Sequence, residues 1–147
     1  MSDPVDERNR KYFDFLIKNY GFKYHGFVKS LWTIYISETI TIGGHVDQYV
    51  PSMLIRRPTE PDYIMIRFGD VLETLGIITR DEYEAKSYLD DDMAYLKSML
   101  AKVADVVIQT PEVWWLDAQK LKFKKEEDGY LKRRQDPTWK ESHRRWY

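Results

Sequence analysis

Polar and apolar positions divide the chain into a helical start, a β-rich middle and a helical second half. Apolar residues at helical spacing predict a first helix over 6–20, and Gly21 stands where a left-handed residue ends a helix. Residues 32–36 alternate as Trp-Thr-Ile-Tyr-Ile, which is the period of a strand with one buried face. Further β-rich runs, which bring the total to four or five strands, lie at 22–27, 40–42, 49–57 and 63–68.

These strands are predicted to form an antiparallel meander. They follow one another without intervening helices, whereas a parallel pair requires a long crossover connection. Gly43-Gly44 predicts a kink or a bulge within the sheet. Pro51 cannot donate a ladder hydrogen bond, so its strand is predicted to lie at an edge or to contain a bulge.

The helical half begins with a short helix over 71–75, for which Asp70 is the predicted N-cap. Thr79 and Glu82 then form a capping box, which marks the start of the next helix. Over 85–107, from Ala to Val, apolar residues recur at intervals of three and four. This spacing is typical of one buried helical stripe.

A final long helix is predicted to start at Thr110-Pro111-Glu112, where Thr is the cap, Pro suits the first helical position and Glu suits the first turn. Gly129 is expected to end or weaken this helix. Residues 130–147 are expected to form a basic tail. The pattern leaves open whether Thr138 and Glu141 cap one more short helix there or the tail is flexible.

Together these elements predict one α+β domain over residues 1–147, with an N-terminal helix, an antiparallel sheet of four to five strands and a C-terminal helical half. A length of 147 residues fits one domain, and 43% hydrophobic residues suffice for a core. The absence of cysteine excludes disulfides and cysteine-ligated metal sites. The acidic start of the chain and its lack of a long apolar run predict a cytoplasmic protein without a signal peptide or membrane contact.

Candidate catalytic groups are sparse. The sequence has no Gly-rich phosphate loop, no nucleophile elbow and no zinc-protease motif, which favours a protein without catalytic activity and without a cofactor. The histidines, His25, His45 and His143, are too far apart for a local metal site, and His45 is expected to be a turn residue.

Asp62, followed later by Glu84 and Lys86, matches a loose nuclease pattern of one acid and then Glu-x-Lys. Two acids and a lysine could hold a divalent metal and position a water molecule if they converge. Glu84 and Lys86 fall on a predicted helix, where positions two apart point in divergent directions. The pattern therefore argues only weakly for catalysis.

Two groups of residues are candidates for binding a protein partner. Asp90, Asp91 and Asp92 interrupt the helical stripe and would give an acidic patch at a helix junction. Trp114 and Trp115 are neighbours, and neighbours on a helix point about 100° apart. One of these two tryptophans is therefore expected to be exposed, as aromatic residues at interfaces often are.

Charge is distributed unevenly along the chain. Residues 118–147 hold 10 of the 23 Lys and Arg but only 5 of the 24 acids, so this segment carries +5 and the remainder −6. Phe123 and Trp139 lie among these cations, an arrangement that could contact phosphates and stack on bases. The same cations could instead fold back onto the acidic body of the protein.

The predicted order of elements also resembles that of small bacterial α+β proteins of the immunity type. The resemblance rests on Tyr20-Gly21-Phe22, on the strand residues 38–42 (Glu-Thr-Ile-Thr-Ile) and on 54–57 (Leu-Ile-Arg-Arg), and it covers roughly residues 10–75. It implies a protein that neutralises a partner without catalysis, and it identifies no site residue.

The favoured hypothesis is therefore a non-enzymatic protein that binds a protein partner or a second copy of itself, in the manner of immunity-type proteins. The alternative is a nucleic-acid-associated protein, or a metal-dependent nuclease, that uses the basic C-terminal segment. The two hypotheses differ in whether nucleic acid binds in a salt-sensitive manner.

Overall fold

The structure is a computed structural model, and the residues it describes are 3–47, 50–58, 65–87 and 93–134. Helices flank a five-stranded antiparallel sheet, so the α+β prediction is confirmed. The elements are α1 (Pro4–Phe13), α2 (Phe15–Tyr20), β1 (Lys23–Val28), β2 (Trp32–Ile36), β3 (Thr41–Asp47), β4 (Val50–Arg56), β5 (Ile66–Arg67), α3 (Phe68–Thr74), α4 (Arg80–Ser87), α5 (Ala94–Ala104), a π-helical turn (Asp105–Gln109), a 3₁₀ turn (Pro111–Val113) and α6 (Trp115–Arg134).

The N-terminal helix starts earlier than predicted and is interrupted once. Pro4 suits the first helical position, and the side chain of Asp3 caps the helix by accepting a hydrogen bond from the Val5 N–H at 2.8 Å. The interruption lies at Asp14, between α1 and α2. Gly21 ends α2 at φ +74°, as predicted.

The five strands form the predicted meander, in the order β1-β2-β3-β4-β5. The bulge predicted at Gly43-Gly44 is wrong, because both glycines pair regularly with β2 and with β4. A Cβ atom on Gly44 would lie 2.7 Å from the ring of Phe13, so the close approach of α1 explains glycine there. The register shifts instead in β1, between Tyr24 and Gly26.

Pro51 does not mark an edge strand, and this prediction is also wrong. Its strand, β4, lies between β3 and β5. Among the described residues, β5 pairs with Leu54 and Ile55 of β4 only. Pro51, at the other end of β4, pairs with Val46 of β3. The proline thus occupies the end of an interior strand, beyond the described pairing with β5.

The β1–β2 hairpin turns through two residues in the left-handed region. Lys29 has φ 55° and Ser30 has φ 56°, and the Leu31 N–H donates to the Val28 carbonyl at 3.2 Å. This is a type I′ geometry, which suits the twist of the strands but favours Asn-Gly. Lys and Ser therefore hold the turn at a steric cost.

The helix over 68–74 corrects one predicted cap. Arg67, not Asp70, is the N-cap of α3, and Asp70 lies inside the helix with a buried side chain.

The capping box predicted at the start of α4 is confirmed. The Thr79 hydroxyl donates to the Glu82 carboxylate at 2.9 Å and accepts from the Glu82 N–H at 3.2 Å.

The helical stripe from Ala85 to Val107 is confirmed in its second part and wrong at its start. Ala85 is exposed, because α4 turns its buried residues Tyr83 and Ser87 inward instead. The apolar positions of the second part are buried, namely Met93, Leu96, Leu100, Val103 and Val107. Met93 precedes α5 with φ 66°, so α5 begins from a left-handed residue.

The last helix begins later and continues further than predicted. Residues 111–113 form a 3₁₀ turn, so the start predicted at Thr110-Pro111-Glu112 is wrong, and α6 begins at Trp115. Gly129 neither ends nor interrupts α6, which continues to Arg134. Thr110 does not cap with its side chain, since its hydroxyl donates back to the Val106 carbonyl at 3.1 Å. Residues 135–147, with Thr138 and Glu141, lie outside the described residues.

The core joins the helices to the sheet. α1 packs on β2 and β3, α3 packs on β4 and β5, and α6 packs on α3 and β5. Large side chains that are fully buried come from all of these layers, among them Phe13, Tyr35, Ile42, Ile55, Phe68, Trp114 and Trp115. The sheet and α3 thereby determine where α6 lies.

Candidate functional site

The two tryptophans proposed for partner binding are both buried. Trp114 and Trp115 are each 1% exposed, so the expectation that one of them faces solvent is wrong. The reason is that they do not share one helix. Trp114 lies in the turn before α6 with φ −117°, and the two rings meet edge to face at 5.8 Å. The proposal that these tryptophans bind a partner assumed that one of them is exposed, and neither is.

Unlike the tryptophans, the acidic candidates for partner binding are not among the described residues. Asp90, Asp91 and Asp92 lie outside the described residues, so their role in partner binding stays a prediction. Asp62 of the nuclease-like pattern also lies outside them. Glu84 lies on α4 within 3.8 Å of Arg67 and Arg80, where it acts as an ion-pair partner.

His45 is not a turn residue, and that expectation is wrong. It lies in β3, is 8% exposed and meets the ring of Trp32 edge to face at 5.6 Å. His25 lies on the exposed strand β1, and His143 is outside the described residues. In 3–47, 50–58, 65–87 and 93–134, no three His, Asp or Glu side chains gather as they would around a metal ion.

Polar side chains also connect α1 to the sheet. Asp6 accepts hydrogen bonds from Thr33 at 2.6 Å and Tyr24 at 2.8 Å. The amide of Asn9 donates to the Leu31 carbonyl at 2.9 Å and accepts from the Val46 N–H at 3.0 Å. These groups satisfy one another within the fold, as buried polar groups must, so the arrangement fixes α1 rather than forming a reactive site.

An ion-pair cluster that sequence reasoning missed anchors the inner side of α6. The carboxylate of Asp70 is 2% exposed and lies 2.7 Å from the Lys125 Nζ and 3.3 Å from an Arg80 guanidinium nitrogen. Glu73 accepts from the same Lys125 Nζ and from the Arg80 backbone N–H, both at 2.9 Å. The cluster thus connects α3, the start of α4 and α6.

Electrostatics within this cluster favour the ionised form of Glu73. The hydrogen bond from the Arg80 backbone N–H, followed by the contact with Lys125, lowers the pKa of Glu73. Asp70 and Glu73 are three residues apart on α3 and so share a face, which was the one signal available in the sequence. Nothing local indicates that Lys125, 55 positions later, is their partner.

The cluster also reduces the positive charge that α6 presents. Lys125 contacts the acidic body, as the fold-back interpretation expects, and Lys122 is buried and paired with Glu126. Over 115–129, exposed acids outnumber exposed lysines. The acids are Asp117, Glu126, Glu127 and Asp128, and the lysines are Lys120 and Lys124. This part of the C-terminal segment is therefore not a cationic surface.

The other side of α6 carries exposed apolar side chains. Leu116 is 64% exposed and Phe123 45%. Together with Lys120 and Glu127, which are also exposed, they recur along α6 at intervals of four, three and four and so share one face. We call Leu116, Lys120, Phe123 and Glu127 the outer face of α6. Val113, which is 61% exposed, lies just before the helix in the 3₁₀ turn.

The outer face contrasts with the inner side of the same helix. There Trp115 and Ala118 are fully buried, and Lys125 reaches the acidic cluster. No helix in the described part of the chain is both long enough and apolar enough to cross a membrane. Exposed apolar groups on a well-anchored helix thus form the candidate site.

Comparisons of the chain with protein-family models, with curated proteins and with solved structures gave no match.

Proposed function

We propose that this chain is a non-enzymatic protein-binding protein and that the outer face of α6 is its contact surface. The observation that carries the proposal is the exposure of Leu116 and Phe123 on one face of α6, with exposed Val113 in the turn just before the helix. Apolar patches rimmed by charged residues mark protein interaction sites, and aromatic residues are enriched at the centres of such sites.

The anchoring of α6 supports this proposal. Buried Trp115 and Ala118 hold the helix by packing, and Lys125 holds it by two carboxylates. A surface that is already ordered loses little conformational freedom when a partner binds. The outer face is therefore suited to binding in the conformation that the structure shows.

An immunity-like role is the finer form of this proposal, in which the partner is neutralised by being bound. The support for it is the resemblance of the sequence pattern over 10–75, because the geometry itself names no partner. Asp90, Asp91 and Asp92 are a second proposed contact, for a basic surface of the same partner.

Nucleic acid is the alternative ligand. Phe123 is exposed between Lys120 and Lys124, which is the combination that stacks on bases and contacts phosphates. The four exposed acids on the same helix disfavour it, because they repel a phosphate backbone. We therefore treat nucleic acid as an outcome of the test.

The test is capture from a lysate of its own cells with the tagged full chain, with and without nuclease, washed at low and high salt. We expect a stoichiometric protein that survives both treatments and is lost with Leu116→Asp. Leu31→Asp is the matched control. Leu31 is also exposed, at 38%, but it lies in the turn between β1 and β2, and β1 is the edge strand opposite β5. Nucleic acid that salt removes would contradict the proposal, as would capture that both variants retain.

A further inference from the structure

We infer that the outer face of α6 binds the same face of a second copy of this chain, with the two helices antiparallel across a two-fold axis beside Phe123. The inference rests on the proposed function, for which it names the partner. It follows from the spacing of the outer face, from the order of its charges and from the absence of ion pairs to these charges among the described residues.

The spacing is that of a helix that packs against another helix. Leu116, Lys120, Phe123 and Glu127 follow one another along α6 at four, three and four positions, which is the spacing of a heptad seam. Two of the four, Leu116 and Phe123, are apolar and exposed. A polar residue within such a seam costs stability but selects the register and the orientation of the partner.

The charges on the seam are self-complementary about Phe123. Lys120 precedes Phe123 by three residues and Glu127 follows it by four, so each lies about 5 Å along the helix axis from the same point. A two-fold axis at that point places Lys120 of each copy beside Glu127 of the other. The same axis brings the two Phe123 rings together, in a contact of the kind that aromatic pairs favour.

The parallel arrangement is excluded by the same residues. In register, it would place Lys120 against Lys120 and Glu127 against Glu127, and like charges in direct opposition are unfavourable. Only the antiparallel arrangement pairs both charges and also keeps Phe123 at the centre.

The two charges that the symmetric contact needs are not held in ion pairs among the described residues. Neither Lys120 nor Glu127 takes part in an ion pair there, as is also true of Asp117, Lys124 and Asp128 on the same helix, whereas Lys122 and Lys125 both do. One seam of a single helix buries less than a standard interface, so we expect a weak dimer whose population rises with concentration.

The first experiment is sedimentation equilibrium of the full chain from micromolar to millimolar concentration. We expect a monomer–dimer equilibrium that Lys120→Glu or Glu127→Lys weakens about tenfold each, since either reversal replaces two attractive contacts by two repulsive ones. The double variant Lys120→Glu/Glu127→Lys restores the pairing and should dimerise within a few-fold of the parent. Asp128→Lys, which reverses an exposed charge on the same helix but outside the seam, is the matched control.

The orientation is tested by disulfide trapping, because the chain has no cysteine of its own. A mixture of the Lys120→Cys and Glu127→Cys variants should give the mixed disulfide in excess over either homodimeric one. Homodimeric disulfides in excess would show a parallel pair and overturn the inference.

Two further outcomes would overturn it. One is a chain that stays monomeric to millimolar concentration, and the other is a dimer insensitive to both charge reversals, with unchanged thermal melts showing that the variants are folded. Failure here is separate from failure of the proposed function. A monomer that still captures a different protein, lost with Leu116→Asp, would retain the proposed contact surface and refute only the second copy.

Discussion

The Nζ of Lys125 lies 2.7 Å from the carboxylate of Asp70, across 55 positions of the chain. The carboxylate is 2% exposed and the lysine 25%. Together with the burial of Trp115 and Ala118, this contact holds the inner side of α6 against the protein and leaves the outer face exposed.

Replacing Lys125 by Met should destabilise the protein. The substitution leaves Asp70 with Arg80 as its remaining cationic partner, at 3.3 Å, and a buried carboxylate that loses a partner is costly. Because Lys125 is partly exposed, we expect a loss of about 2 kcal/mol, below the full value for a buried pair. Urea denaturation measures it, and Lys124→Met, an exposed neighbour, should change stability by less than about 0.5 kcal/mol. Equal effects of the two substitutions would contradict the role of the cluster.

Acid should weaken the same cluster. The pKa of Glu73 in the folded protein lies below its ordinary value of 4.5, because the Arg80 N–H and Lys125 stabilise the ionised form. Its contribution to stability is therefore complete above pH 4.5 and is lost as the pH falls through the lower folded-state pKa. Thermal melts across this acidic range should show a decline that is shallower in Glu73→Gln. A variant with the parent's full decline would show that other carboxylates are responsible.

Gly44→Ala should be destabilising by about 1–3 kcal/mol, the usual cost of overpacking a core. The added methyl would meet the Phe13 ring at 2.7 Å, and Phe13 is fully buried and has little room to move. Gly26→Ala is the matched control, since a Cβ there meets nothing within 4 Å. Chemical denaturation measures the free energy of unfolding of both variants. Similar losses of stability in the two would contradict the explanation that the Phe13 ring requires glycine at position 44.

Ser30→Gly should stabilise the protein by roughly 1 kcal/mol. Ser30 is held at φ 56°, where a Cβ is unfavourable and glycine is not. Ser30→Ala retains the Cβ and serves as the control, with no gain expected. The midpoint of thermal unfolding reports both changes, and a gain for alanine equal to that for glycine would rule out relief of the left-handed strain.

Features determined by neighbouring residues could be predicted from the sequence. The alternation over 32–36 gives β2, Gly21 ends α2, and Thr79 with Glu82 starts α4, because each signal acts over a few positions. The antiparallel sheet follows from the lack of connecting helices. These relationships involve no residue that is distant along the chain.

Features that depend on distant residues could not be predicted. Glycine at position 44 is explained by Phe13 of α1, and the position of Asp70 is explained by Lys125 of α6. The sequence predicts both tryptophans on one helix, but Trp114 lies in the turn before α6, and this lets both side chains reach the core. The outer face could not be predicted, because the sequence alone does not indicate which side of α6 is buried.

The order of the strands has a consequence for how the protein folds. Every strand pairs with its sequence neighbour, so the sheet requires only short loop closures and is expected to form rapidly for a β-structure. The contact of α6 with α3 closes a much longer loop and therefore carries a larger entropy cost. Until that loop closes, the inner side of α6 with Trp115 and Ala118 is uncovered, so we expect an incompletely folded chain to be prone to aggregate through this side rather than through the outer face.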